Sequence, residues 1–308
     1  MSLLRPAKHG DALFRWLARG AAGAVVLLFA AMLWELAKAS WPAWHTFGLG
    51  FLVSSEWDPV RERFGALVPI FGTIATTLIA MLLAAPVGIG IALFLTELAP
   101  PWLKAVTGVA VEMLAAVPSI IYGMWGLFTL APVMAAHVQP WLMDHLGFIP
   151  LFDGVPMGIG ILTAGVVLAI MVLPFVASVV RDVFDLTPQN LKEAAYGMGA
   201  TTWEVVRDVV IPYGRKGIVG ALFLAIGRAL GETMAVTFVI GNAYELSWSL
   251  LMPGNSIAST IANEFTEADS DLYLASLIAL GLVLFLITWI TLLAAQWWIR
   301  KSAAGAGR

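Results

Sequence analysis

The chain has 308 residues, 60% of them hydrophobic and only 12% charged, with a mean hydropathy of +0.88. That balance lies far outside the averages of soluble globular domains and excludes a single water-soluble core. The net charge of −3 identifies no acidic or basic partner, because the charges are segregated along the chain.

Residues 1–19 are basic, with Arg5, Lys8, Arg15 and Arg19. Residues 21–37 form the first apolar run. It follows a basic start, as a secretory signal does, but a small-x-small cleavage site and a polar region do not follow cleanly and further apolar runs come later, so a retained helix is expected. Glu35 sits near its far end, within reach of headgroups. Residues 38–66 read as an amphiphilic connector, whose Trp41, Trp44 and Trp57 suit a membrane interface.

The second span is read at 67–95, bent by Pro86 and Gly88-x-Gly90, and a short loop at 96–102 follows. The third is read at 103–130, interrupted by Pro118, with a longer connector over 131–156. The fourth covers 157–180 and contains Pro174. The fifth covers 216–241 and the sixth 272–299. Each is long enough to cross a hydrocarbon core of about 30 Å. Helix is the default for all six, because lipid offers no partner to an open strand edge.

Between the fourth and fifth spans lies Thr187–Pro212, which belongs to neither. It reads as two short helices meeting at a turn. Thr187 is the expected N-cap, with Pro188 at the first helical position. Gly197 is the expected stop of the first helix. Thr201-x-x-Glu204 is a capping-box pattern that starts the second, and Pro212 is expected to end it. One face is apolar, through Leu191, Ala194, Ala195, Met198, Trp203, Val206 and Val210.

Lysine and arginine orient the spans. With the N-terminus inside, the inner segments hold Arg5, Lys8, Arg15, Arg19, Lys104, Arg181, Lys192, Arg207, Arg215, Lys216, Arg300, Lys301 and Arg308; the outer segments hold Lys38, Arg61 and Arg63. Both termini and the Glu193 hairpin are then cytosolic.

Arg228 falls in the middle of the fifth span as read, and Glu232 one turn later. A charge at the bilayer centre costs about 2.5–3.5 kcal/mol on insertion scales, so it persists when paired or when it lines a water-filled path. The spacing of four places both on one helix face, where they can neutralise each other. Two readings stay open: a buried pair that fixes packing, or a transport-path pair. A guanidinium suits a tetrahedral oxyanion, since its planar fork donates two parallel hydrogen bonds and keeps its charge. Glu112 is a weaker candidate. Gly217, Gly220, Gly227 and Gly231 would let the fifth span approach its neighbours closely.

The chain has no cysteine, and His9, His45, His137 and His145 are too scattered for a metal cluster, so no metal or cofactor is expected. It lacks G-x-x-x-x-G-K-[ST] and contains no Gly-Lys pair, so energy from ATP must come through a partner. No nucleophile-elbow or zinc signature suggests catalysis. Residues 242–271 carry Glu245, Glu264, Glu267, Asp269 and Asp271 without Lys or Arg, an outer loop that should repel a free anion.

Glu193-Ala194-Ala195, Gly199 three residues on, and Val209-x-Ile211-Pro212 after nine more resemble the EAA loop of ABC-importer permeases. Val209 and Ile211 depart conservatively from its I-x-L-P. The resemblance implies that Glu193, Ala194, Ala195, Gly199 and Pro212 belong to a coupling element that docks on an ATPase subunit. Four further stretches are similar to the PstC-type permease family of phosphate-specific ABC importers: 94–100 (FLTELAP), 118–126 (PSIIYGMWG), 227–237 (GRALGETMAVT) and 252–257 (MPGNSI). That likeness covers nearly the whole chain. It implies an all-α, polytopic bacterial inner-membrane protein of the type I ABC-importer permease fold, with six transmembrane helices and both termini cytosolic. The expected organisation is 1–66 as tail, first helix and periplasmic connector, 67–300 as a five-helix domain with the coupling loop at 187–212, and 301–308 as a cytosolic tail. The implied partners are a PstA-type permease, a PstB-type ATPase dimer, a periplasmic phosphate-binding protein and a PhoU-type regulator. The implied path residues are Arg228 and Glu232. A permease for another oxyanion, such as molybdate or sulfate, and a non-transporting membrane scaffold are the alternatives.

Overall fold

The computed structural model describes residues 8–305, with side chains for 12–301. Arg5 and Arg308, both counted for orientation, lie outside the described residues, as do 1–7 and 306–308 of the expected tails. Among the described residues, six helical spans are long and apolar enough to cross a membrane.

The first helix, α1 (Lys8–Ala39), begins well before the apolar run. None of its apolar window is buried, and it packs on the last helix and the connector. The connector holds α2 (Trp41–Phe47), α3 (Gly50–Val53) and a hairpin of two-residue strands, β1 (Trp57–Asp58) and β2 (Arg63–Phe64), paired antiparallel. Asp58 closes the turn by accepting the N–H groups of Val60 and Arg61 through Oδ1. The connector aromatics do more than sit at an interface. Phe64 stacks on Tyr273 and Trp57 stacks on Tyr244, and Phe64, Trp57 and Tyr273 form part of a second core.

Helix α4 (Leu67–Leu93) continues through Pro86 into a π-helical turn, Phe94–Leu98, which occupies much of the expected loop. A separate helix, α5 (Pro101–Ala116), then stops at Val117-Pro118. Here the reading of a third span over 103–130 is corrected. The apolar span is Ser119–Leu146, built from α6 (Ser119–Trp125), α7 (Ala131–Val133), α8 (Gln139–Leu146) and two π-helical turns between them. A proline disfavours the α conformation in the residue before it, and here Val117 is extended at ψ 128°, so Pro118 divides two helices rather than bending one.

Helix α9 (Ile161–Asp185) is the axis of the molecule, with 67% of its apolar window buried. It packs closely on α4 because glycines remove side-chain bulk at the crossing. A Cβ on Gly165 would come within 2.6 Å of Ile79, and one on Gly88 within 2.7 Å of Val176.

The hairpin follows as α10 (Gln189–Gly197) and α11 (Thr202–Val205). The first helix stops at Gly197 as expected, and two other local expectations change. Pro188, not Thr187, holds the N-cap position, and the Thr187 hydroxyl is buried without a hydrogen-bond partner among the described residues. The left-handed residue is Gly199 at φ +87°, two positions beyond Gly197. Pro212 does not end the helix. A π-helical turn, Val206–Val210, passes directly into α12 (Ile211–Leu230), where Pro212 falls in the first turn and its missing N–H costs little. The Thr201–Glu204 capping box forms as expected.

After α12 the chain breaks at Gly231–Thr233 and resumes as α13 (Met234–Ile240), so the expected fifth span is two helices. Helix α14 (Ile257–Glu264) and the long α15 (Asp271–Gly305) complete the fold. Of the four glycines singled out in the fifth span, Gly217 makes the close approach, with its Cβ position 2.6 Å from Val183.

Candidate functional site

Two places carry the expected functional residues. The first is the break between α12 and α13. Arg228 lies in the last turn of α12, not at mid-helix, and Glu232 lies beyond the helix end. The i,i+4 pairing expected of them therefore fails, because the helix that would align them has already stopped at Leu230. No ion pair joins them among the described residues. The Arg228 guanidinium sits 5.7 Å from the centre of the Phe175 ring, one residue after Pro174 of α9. A cation over an aromatic face is held by the ring quadrupole. Arg228 has no hydrogen-bond acceptor among the described residues, so its N–H fork is open. Glu232 turns the other way, and its Oε1 accepts the Ala235 N–H at 3.5 Å at the start of α13.

Arg228 is exposed, as is the apolar Leu224 one turn earlier on α12. The break is fixed by packing. A Cβ on Gly123 of α6 would meet the Met234 carbonyl at 2.9 Å, and one on Gly126 would meet Val167 and Val239. Thus the 118–126 stretch clamps the segment that follows Glu232. Likewise, 252–257 clamps the start of α4: Thr73 Oγ1 accepts the Ile257 N–H at 2.9 Å, and the Asn255 carbonyl closes on Gly72.

The second place is the hairpin. Glu193, Ala194 and Gly199 are exposed, whereas Ala195 is buried against α11 and the π turn that follows. Pro212 sits on the continuous helix leading to Arg228. Sequence reasoning missed Lys192, one residue before the triad. Its Nζ lies 2.5 Å from Glu97 Oε1 in the π turn after α4, with 10% and 7% of the two side chains exposed. The signal was the presence of Glu97 within 94–100 and of a lysine three positions before Ala195, the triad residue that α10 buries. Glu112, the weaker candidate, is bound to Arg181 at 3.3 Å, which ties α5 to α9; Lys104–Asp185 at 3.3 Å ties the same two helices.

On the opposite end of the bundle, Glu264 is not part of a repelling surface. Its carboxylate accepts the Trp57 Nε1–H at 2.6 Å and the hydroxyls of Tyr244 and Tyr273. Burial, and then the bond to Glu264, raise the Tyr244 phenol above its ordinary pKa.

Six apolar spans, an exposed arginine at a helix break and a hairpin whose second limb runs into the same helix define a polytopic membrane protein. Residues 84–302 match the family described as binding-protein-dependent transport system inner membrane component. The chain is 55% identical to the phosphate transport system permease protein PstC of Mesorhizobium japonicum, over 96% of this chain and 92% of that protein. It is 53% identical to the PstC of Pasteurella multocida, over 97% and 94%. In fold it is similar to a chain of a bacterial ABC transporter involved in import of the polysaccharide alginate, at TM-score 0.62 and 14% identity, over 95% of this chain and 98% of that one. The chain belongs to the binding-protein-dependent transport permease family, and its fold is that of the type I ABC-importer permeases.

Proposed function

We propose that this chain is the permease subunit of an ATP-driven phosphate importer of the bacterial inner membrane, with Arg228 on the anion path. The observation that carries the reading is the state of Arg228: exposed at the end of an apolar span, held over the Phe175 ring, and without an acceptor among the described residues. Such a charge is expensive against lipid. A second permease subunit facing α12 and α13 removes it from lipid and leaves its N–H fork free to meet a tetrahedral anion between the two subunits. The names of the relatives supply phosphate as the anion. Glu232 stands near that path and limits how tightly the anion is held by contributing a negative charge.

The assembly in this reading comprises a PstA-type permease, a PstB-type ATPase dimer and a periplasmic phosphate-binding protein, with a PhoU-type regulator acting on the complex. Both termini and the hairpin 187–212 are cytosolic, in keeping with the distribution of lysine and arginine. The five spans of 67–300 form the transport unit, to which the first helix is appended; the unburied window of α1 supports that division. Glu193, Ala194, Ala195, Gly199 and Pro212 form the coupling element. ATP-driven closure of the ATPases moves the hairpin, rocks the spans and carries the anion past Arg228.

Co-reconstitution with the partner subunits tests this directly. Phosphate is expected to stimulate ATP hydrolysis and to accumulate in the vesicles, with excess molybdate or sulfate failing to compete. Competition by either anion would move the substrate assignment to another oxyanion. ATP hydrolysis indifferent to every anion would favour the scaffold reading.

A further inference from the structure

We infer that the Lys192–Glu97 pair is the tie through which the hairpin pulls on the second span, and that both are positioning residues for coupling. The inference rests on the reading of 187–212 as the coupling element. Lys192 belongs to α10; Glu97 belongs to the π-helical turn Phe94–Leu98 that closes α4. Their charged atoms are 2.5 Å apart, and both side chains are about nine-tenths buried. Among the described residues, no other ion pair joins 187–212 to another element, since Arg207–Asp208 stays within the hairpin.

The rest of the hairpin is held by apolar contact. Ala195, Val205 and Val210 belong to the core that also contains α4 and α9 residues. Such contact is non-directional and roughly proportional to area, so it permits sliding. A buried charge pair is directional, and separating it leaves two buried charges without partners. A displaced α10 must therefore carry Glu97 with it. Glu97 sits on a π turn, where one extra residue loosens the helical ladder, and such bulges are frequent at functional sites. Motion entering at α10 thus reaches α4 at a pliable point, and α4 passes it to α9 through the glycine crossings at Gly88 and Gly165. Lys104–Asp185 and Arg181–Glu112 each include a largely exposed partner and involve α5, so neither substitutes for this tie.

The test uses the complete complex in liposomes, with phosphate uptake and ATP hydrolysis measured together. Glu97→Gln and Lys192→Met are each expected to lower phosphate imported per ATP by about 5- to 150-fold while hydrolysis continues. The exchanged pair, Glu97→Lys with Lys192→Glu, is expected to recover most of it. The chain contains no cysteine, so Glu97→Cys with Lys192→Cys gives a clean probe. That protein should be uncoupled as made, recoupled by a short cleavable thiol cross-linker, and uncoupled again on cleavage. Single variants that assemble and import with unchanged stoichiometry would overturn the inference. So would a cross-linked protein that stays uncoupled. Should the single variants fail to assemble, the double-cysteine protein, which buries no unpaired charge, decides by the same cross-link and cleavage cycle. Gly199→Arg, run in parallel, separates the two levels. Normal coupling in that variant removes the hairpin assignment itself; uncoupling there together with unchanged Lys192 and Glu97 variants removes only the tie.

Discussion

The guanidinium of Arg228 rests 5.7 Å from the centre of the Phe175 ring, while Glu232, the carboxylate nearest in sequence, turns to the Ala235 N–H beyond the helix break. An arginine held by a ring keeps its hydrogen-bond donors for something else. Had Glu232 taken the bidentate position, that fork would be occupied.

Arg228→Gln is expected to abolish phosphate uptake with assembly preserved, and Arg228→Lys to restore little, since a lysine offers no planar fork. Uptake in vesicles, normalised to complex recovered, checks both. Undiminished uptake in the glutamine variant would leave Arg228 as a packing residue.

Phe175→Leu keeps an apolar volume and removes the ring. A cation–π contact is worth about 0.5–2 kcal/mol, so the KM for phosphate uptake should rise about 2- to 30-fold with complex levels unchanged. Phe175→Tyr should restore the wild-type value. Equal KM values in the leucine and tyrosine variants would dissociate the ring from Arg228.

Gly199 has φ +87°, with no described heavy atom within 4 Å of the position of an added Cβ. Alanine there meets backbone strain of about 1–2 kcal/mol and no clash. Gly199→Ala should therefore give a mild loss of coupling. Gly199→Arg, which adds a long charged side chain to the exposed face of the hairpin, should hydrolyse ATP without uptake while remaining in the membrane. Parallel assays of hydrolysis and uptake distinguish the two.

Gly72 is a different kind of glycine. A Cβ there would lie 2.0 Å from the Asn255 carbonyl oxygen, a backbone atom in the 252–257 stretch. Gly72→Val is expected to prevent assembly, seen as loss of the chain from purified complex. Recovery at wild-type levels would show that 252–257 can move away from α4.

Glu264 gathers three donors at once, from Trp57, Tyr244 and Tyr273. Glu264→Gln replaces one accepting oxygen with a donor and should cost about 1–3 kcal/mol, read as a lower thermal midpoint of the complex. Trp57→Phe removes a single donor and should cost less. Because burial holds the Tyr244 phenol protonated above its ordinary range, stability is present below pH about 10 and falls as pH rises through that value, where the unfolded chain ionises first. A midpoint unchanged between pH 9 and pH 11 in the wild-type complex would contradict that sign.

The amino-acid sequence by itself determined the class, the number of spans and the presence of the hairpin. Apolar runs of sufficient length have few alternatives in lipid, and the Thr201–Glu204 box acts within one helical turn. Such rules depend on neighbours three or four positions away, so they are legible without a fold. They failed where proline and glycine admit two outcomes. Pro118 separated two helices, Pro212 was absorbed into the first turn of one, and the break at Gly231–Thr233 cancelled the expected Arg228–Glu232 pair. Only the tertiary structure decided where the charges find their partners. Lys192 meets Glu97 across 95 positions, and Trp57 meets Glu264 across 207. A buried polar group is satisfied by whichever donor or acceptor packing brings to it, and that depends on how α4, α9 and the outer connector cross in space.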